Sequence, residues 1–335
     1  MKSKEEKLII AEIGSVHDGS FGNACKLIKV AASCGADIVK FQTHISGSET
    51  LREAPTPSYF QGEPRYEYFD RTAFSPVQWR ELSTECENNG VKFLSSPFSI
   101  EAVNLLESIG IPFYKVPSGE VSNIPLLEYL AALGKPVFLS TGMSSWKEID
   151  LAVEILINRV ELSIMQCTSA YPCPSERVGL NVLQEFQKRY GNSVTIGFSD
   201  HTANISAGIA AAILGARVIE KHLTFSKQMY GSDASNALEP EDFKLYCSSI
   251  REAWSMIESP VNKNDMTMLN EMKHIFEKSI VAARPIAAGS IITKSDLNYK
   301  KPGNGLQPNQ YKDLIGRRTN KDVSLDHQFS LNDFE

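Results

Sequence analysis

The sequence has no apolar run approaching the roughly 18 residues a membrane helix needs. Its start, MKSKEEKLIIAEIG, carries a run of only four apolar residues between the charged head and Glu12, too few for the apolar core of a signal peptide. The six cysteines form no CxxC pair and read as reduced thiols of a cytoplasmic protein. There is no basic excess either. Lys plus Arg is 34 and Asp plus Glu is 40, a formal charge of −6, which argues against a nucleic-acid-binding surface. No membrane or nucleic-acid partner is expected. What is present is 42% hydrophobic and 22% charged residues over 335 positions, ample apolar surface for a folded protein. The length suits two domains, or one large α/β barrel with an appendage.

Eight short runs rich in Val, Ile and Phe recur: Leu8–Gly14, Asp37–Thr43, Val91–Phe98, Pro112–Pro117, Pro136–Thr141, Leu162–Thr168, Ser193–Ser199 and Ala216–Leu223. Most are near-continuously apolar, as parallel strands covered on both faces must be. Amphipathic stretches separate them, and a last one, Pro240–Ile257, follows the eighth. Ser75-Pro76 reads as an N-cap followed by a first-turn proline, and Gly90, Gly110 and Gly134 fall just past helix ends. Repeated strand-then-helix units predict a TIM (β/α)8 barrel over residues 1–258. The irregular segment Ile45–Thr72, with Pro55, Pro57, Pro64 and several aromatics, reads as a long loop on the catalytic face. A polar linker over 259–276 leads to a small β-rich domain at 277–335, with strands at Ser279–Ala283 and Ile291–Ile292 and a tight turn at Lys301–Gly305. A core that small is marginal alone and predicts packing on its own barrel or on a partner subunit.

In such a barrel the reacting groups sit at the C-terminal strand ends. Strand 1 ends at Glu12, strand 2 in Lys40-Phe-Gln42-Thr-His44, and strand 3 in Ser95-Ser96. Strand 4 carries Lys115, Ser118 and Glu120, strand 5 Ser140, strand 6 Ser169 and Tyr171, strand 7 Ser199 and His201, and strand 8 Glu220-Lys221-His222. Lysines with hydroxyl donors suit a phosphate beside a carboxylate. A lysine inside an apolar run such as IVKF points to function rather than to a surface cap. His201 and His222, on adjacent strands, suit a shared metal with positions left for water and substrate; a structural role for His201 alone stays open. Glu12 and Glu120 are candidates for proton transfer. His274 and His327 read as solvated.

The ordered motifs AEIGxxHDG, VKFQTH, LSSPFS, YKVPSGE, LSTGM, CTSAYPCP, GFSDHT, VIEKHLT, GSDASNALEP and KKPGNG resemble the sialic acid synthase family along nearly the whole chain. The resemblance implies that the tail is an antifreeze-like (SAF, β-clip) domain. It implies a phosphoenolpyruvate-dependent transferase. Phosphoenolpyruvate condenses with the open-chain aldehyde of an N-acylated hexosamine, carbon–oxygen cleavage expels phosphate, and a nine-carbon 2-keto acid results. It implies a divalent metal on His201 and His222, most simply Mn²⁺, with Mg²⁺ or Co²⁺ as substitutes. Lys40, Ser96, Lys115, Ser118, Ser140, Ser169 and Ser199 are then expected to bind phosphoenolpyruvate. Glu12, Glu120 and His201 are expected to be catalytic, and Gln42, Tyr171 and Asp233 to hold the sugar. A domain-exchanged homodimer is implied, in which the partner subunit's Lys301 also reaches the sugar.

The departures bear on the sugar. Val16 stands where the family commonly has Asn, Gln166 where it often has His, Ser169 where it often has Asn, and Lys301 where it usually has Arg. Lysine cannot reproduce a planar two-pronged contact. The segment SYFQGEPRYEYF suits a bulkier sugar, such as a 2,4-diacetamido-trideoxyhexose leading to legionaminic or pseudaminic acid. Two other readings stand beside this one. A phosphorylated aldose would need a second phosphate site, for which Arg52, Arg65, Arg71 and Arg80 are available. An ice- or carbohydrate-binding role is disfavoured, because residues 277–335 lack repeated Thr spacing.

Overall fold

The structure, a computed structural model, describes residues 6–56, 62–170, 172–231 and 233–335. It divides into two compact units, Met1–Ser259 and Pro260–Glu335. In the first, β1 (Leu8–Gly14), β2 (Ile38–Thr43), β3 (Lys92–Pro97), β4 (Tyr114–Val116), β5 (Val137–Ser140), β6 (Leu162–Cys167), β7 (Thr195–Asp200) and β8 (Val218–His222) close into a parallel barrel. Each observed strand falls within one of the eight apolar runs or ends one residue beyond it. A helix follows each strand, the last being Pro240–Glu258. Ser75 forms a capping box with Gln78, closing the free N–H groups at that helix start. Ser145 does the same with Glu148.

The two-residue period of the strands divides the chemistry of the barrel. Inward side chains near the strand starts make one apolar cluster: Leu8, Ile10, Ile38, Leu94, Phe113, Phe138, Met165 and Val218. Continuing inward by twos, β1 reaches Glu12, β2 Lys40, β4 Lys115, and β8 Glu220 and His222. Outward residues such as Ile9, Val39, Leu139 and Ile219 join the helices in the main core. Thus the barrel floor is greasy and its upper interior is charged. Among the described residues no helix is long and apolar enough to cross a membrane. All six cysteines are free thiols.

Two differences from the sequence reading stand out. The segment after β2 is not one loop: it forms helices at Ser46–Glu49 and Arg65–Thr72. Ser46 Oγ donates to the Tyr66 carbonyl at 3.0 Å, tying the two together. In the second unit, helix Asn270–Phe276 occupies the stretch read as linker. There β9 (Ser279–Ala282) pairs antiparallel with β10 (Leu297–Lys300), a strand the sequence did not announce, whereas Ile291 makes a single bridge to Arg318. Its core gathers Ile280, Ile286, Ile292, Leu314, Val323, Phe329 and Phe334. His327 is not simply solvated; its Nε2 sits 2.9 Å from Asp333 Oδ2.

Candidate active site

The C-terminal strand ends enclose a cavity of about 320 Å³. At its base lie four buried ionisable side chains from β1, β2, β4 and β8. Glu220 Oε2 accepts from Lys115 Nζ at 2.8 Å, and its Oε1 accepts from Ser199 Oγ at 2.9 Å and lies 3.7 Å from Lys40 Nζ. Lys40 Nζ lies 2.9 Å from Glu12 Oε2 and 3.4 Å from Ser96 Oγ. Gln42 Nε2 donates to Glu12 Oε1 at 2.7 Å.

Burial decides how these groups hold protons. It pushes the Glu12 carboxyl up to about 7, against the pull of Lys40 and with the help of Glu220. Burial also raises Glu220, but Lys115 and Lys40 outweigh it and hold that carboxyl near 2. Lys115 is held below the ordinary lysine range by burial, which exceeds the effect of Glu220. Lys40 is desolvated too, yet Glu12 and Glu220 raise it above that range. Two ammonium groups and the Glu220 carboxylate leave one positive charge when Glu12 is protonated, a ready seat for an anion.

Hydroxyls crown this base. Ser118 and Ser169 converge on Gly142: a Cβ there would stand 2.7 Å from Ser118 Oγ and 2.5 Å from Ser169 Oγ, so only glycine admits both. Gly142 N–H donates to Ser118 Oγ at 3.1 Å. Ser140 Oγ is buried with no hydrogen-bond partner among the described residues. Asp233 enters from beyond β8, its Oδ2 accepting from Ser15 N–H at 3.2 Å; a Cβ on Gly14 would strike it.

His201 and His222 face each other with ring centroids 5.6 Å apart. His201 Nδ1 lies 3.0 Å from the Thr168 carbonyl and 3.7 Å from Cys167 Sγ. Donation to that carbonyl puts the proton on Nδ1 and leaves Nε2 with the lone pair in the neutral ring. Burial and neighbouring His201 and Lys40 outweigh Asp233 and hold His222 down at about 4, so it is a neutral donor at physiological pH. Burial also lowers His201, but Cys167 and the Thr168 carbonyl outweigh it and raise that imidazole to about 9, so His201 must give up a proton before it can ligate a metal. The histidines are aligned by their chain neighbours. Asp200 and Lys221 point outward, pair at 3.1 Å in full burial, and receive Tyr246 OH on Asp200 Oδ2 at 3.1 Å.

Of the residues named from sequence, Glu12, Lys40, Gln42, Ser96, Lys115, Ser118, Ser140, Ser169, Ser199, His201, His222 and Asp233 line this one cavity. Glu120 sits beside it: its carboxyl accepts from Asn123 Nδ2 at 2.7 Å and is raised by burial. Tyr171 lies outside the described residues. Lys301 belongs to the second unit, where its Nζ stands 4.9 Å over the Phe276 ring. Sequence reasoning gave no role to Glu220, although the alternation Val218, Glu220, His222 puts it on the inner face. It also gave no role to Cys167, or to His44 and Phe98, which build an aromatic wall with Phe69 of the aromatic segment: His44 stacks on Phe69 at 3.5 Å and on Phe98 at 4.1 Å.

A closed parallel barrel with buried lysines, carboxylates, hydroxyls and paired imidazoles at its mouth defines a (β/α)8-barrel enzyme. The NeuB family model matches residues 27–262 and the SAF domain model residues 277–335. The chain belongs to the NeuB family. It is 34% identical to the N,N'-diacetyllegionaminic acid synthase of Campylobacter jejuni subsp. jejuni serotype O:2, over 96% of this chain and 98% of that protein. It is 35% identical to the human N-acetylneuraminate-9-phosphate synthase, over 92% of this chain and 88% of that one. The solved N-acetylneuraminic acid synthetase of Leptospira borgpetersenii, in complex with citrate, superposes with a TM-score of 0.70 at 26% identity, over 80% of this chain and 91% of that one.

Proposed function

We propose that the chain is a sialic-type (nonulosonic) acid synthase that condenses phosphoenolpyruvate with an N-acylated mannosamine-type aldehyde sugar in the cytoplasm. A 2,4-diacetamido-trideoxyhexose, the acceptor for a legionaminic or pseudaminic product, is the alternative. The observation that carries the reading is the pair of buried lysines under converging serine hydroxyls. That donor set matches a ligand bearing both phosphate and carboxylate.

In this reading Lys40, Lys115, Ser96, Ser118, Ser140, Ser169 and Ser199 hold phosphoenolpyruvate. Its methylene carbon attacks the aldehyde carbon. Water adds to the central carbon, the carbon–oxygen bond to phosphate breaks, and phosphate leaves with that bridging oxygen. One proton of the water ends on the new hydroxyl and the other on phosphate. Glu12, poised near neutrality, passes a proton between them. Gln42 and Asp233 orient the acceptor, and its motif assigns the same role to Tyr171; Glu120, held by Asn123, is assigned to assist the proton transfers.

The residues present fit a divalent metal. Two neutral-capable imidazoles on adjacent strands supply two nitrogen donors and leave positions for water and substrate. Among the described residues no group of three or more His, Cys, Asp or Glu forms a fuller cage. His201 and His222 would hold it, Mn²⁺ most simply, with Mg²⁺ or Co²⁺ as substitutes. When bound, it supplies Lewis-acid polarisation of the aldehyde oxygen. The reading includes a domain-exchanged homodimer, with the partner subunit's Lys301 at the acceptor; sedimentation equilibrium gives the mass directly.

The test is phosphate release by purified protein with phosphoenolpyruvate and Mn²⁺. N-acetylmannosamine and 2,4-diacetamido-2,4,6-trideoxymannose are run side by side. Release with N-acetylmannosamine assigns a sialic acid synthase, and release with the diacetamido sugar alone a legionaminic acid synthase. Release with neither sinks the proposal.

A further inference from the structure

We infer that Arg65 reads the acyl-amino group of the acceptor: its guanidinium takes the amide carbonyl while the acyl methyl lies on the Phe69–His44–Phe98 stack. This rests on the acceptor class proposed above and names the residue that selects within it.

Arg65 opens helix Arg65–Thr72, the element that replaces the expected loop. That helix is pinned to the barrel. Tyr68, buried, places its hydroxyl 3.5 Å from the Ser15 carbonyl, and Arg71 donates to Asp18 and Glu63 at 2.9 Å. The neighbouring arginines are therefore committed or remote. Arg71 is paired, Arg52 stacks 4.5 Å over Tyr66, and Arg80 is exposed on the next helix. Arg65 alone of the four lines the cavity. Its guanidinium stands 5.3 Å from the Phe69 ring centroid, at one end of the aromatic stack. Its Nε is buried and has no hydrogen-bond partner among the described residues. A buried, unused N–H beside an apolar slab is a template for a carbonyl carrying a small alkyl group.

Charge decides between a neutral acyl group and a phosphate. Arg65 is close enough to His44 and Glu120 to act on both electrostatically. Around it stand three carboxylates. Glu49 is held by His44 Nδ1 at 2.7 Å, Glu120 by Asn123, and Asp233 shares the cavity wall. One guanidinium among three carboxylates repels a dianion and leaves a neutral amide unopposed. A sugar without the acyl group leaves Nε buried and unpaired, which is how a hydrogen-bonding site rejects an analogue lacking the group.

The experiment measures binding of non-reacting alditols to the full chain with phosphoenolpyruvate and diamagnetic Mg²⁺, by saturation-transfer NMR. The alditols of N-acetylmannosamine and of its 2,4-diacetamido analogue are compared with mannitol. In Arg65→Leu, Kd for at least one acetamido alditol should rise about tenfold to a hundredfold, the loss of one hydrogen bond to a charged group. Mannitol binding and phosphoenolpyruvate affinity should stay as in wild type, and the melting temperature should hold. Arg65→Gln repeats the test if the leucine variant does not fold. Equal weakening of all alditols, or none, overturns the inference. So does a wild-type preference for N-acetylmannosamine 6-phosphate that Arg65→Leu abolishes. Absence of phosphate release with every acyl sugar would sink the proposed function, whereas the binding comparison still reads Arg65.

Discussion

Lys115 Nζ and Glu220 Oε2 lie 2.8 Å apart, a bridge thrown across the inside of the barrel from β4 to β8. Both are buried, so the pair sets the charge of the cavity floor rather than decorating it. Removing one member leaves the other uncompensated, which costs about 3–5 kcal/mol in buried pairs. Glu220→Gln should therefore lower unfolding free energy by roughly that amount and raise KM for phosphoenolpyruvate. Urea unfolding and initial rates read the two effects. Lys115→Met should cut kcat/KM for phosphoenolpyruvate by about a hundredfold or more, on the same uncompensated-charge scale. Unchanged kinetics would remove Lys115 from the anion site.

The outward pair Asp200–Lys221 gives a second prediction. Lys221→Met strands a fully buried carboxylate and should destabilise by about 3–5 kcal/mol. Tyr246→Phe removes one hydrogen bond to the same carboxylate and should cost about 1.5–3 kcal/mol. Thermal melts of both variants check the order. Equal losses would mean that the ion pair carries no special weight.

Metal affinity should follow the imidazoles. His201→Ala and His222→Ala should each weaken Mn²⁺ binding at least about tenfold, the lower scale of lost support at metal sites. Isothermal titration measures this without turnover. Wild-type affinity in both variants would separate the histidines from the metal.

The small unit should show its own acid limit. Burial raises Asp333, but Lys321, Ser330 N–H and His327 outweigh it and hold its carboxyl down at about 2. A depressed carboxylate pKa adds stability that is fully present above the unfolded value of 3.8 and is lost as pH falls through about 2. Asp333→Asn should lower stability near neutrality and flatten that acid slope. A melting series from neutral pH to pH of about 2 compares the two.

Much of this was legible in the chain. Runs such as LIIAEIG and DIVKFQT announce buried parallel strands because Val, Ile and Phe have little reason to alternate with polar residues there. The same runs expose Lys40 and Glu12 as misfits that burial must put to use. Glu220 was harder. Glu220, Lys221 and His222 are consecutive, and only the period of two separates the inward Glu220 and His222 from the outward Lys221. The helix at Arg65–Thr72 escaped because prolines and aromatics crowd the segment and its apolar residues bind to elements distant in sequence, such as Ser15 against Tyr68. β10 escaped because LNYK has a single buried side chain, Leu297.

The measurement closest to the central claim follows the oxygen of the released phosphate. The reaction is run in heavy-oxygen water with phosphoenolpyruvate, the acyl sugar and Mn²⁺, and phosphate is examined by mass spectrometry. Cleavage of the carbon–oxygen bond predicts phosphate that carries no solvent oxygen, formed only when all three components are present. Solvent oxygen in the phosphate, or release without the sugar, would contradict the assignment of this cavity as a condensing site.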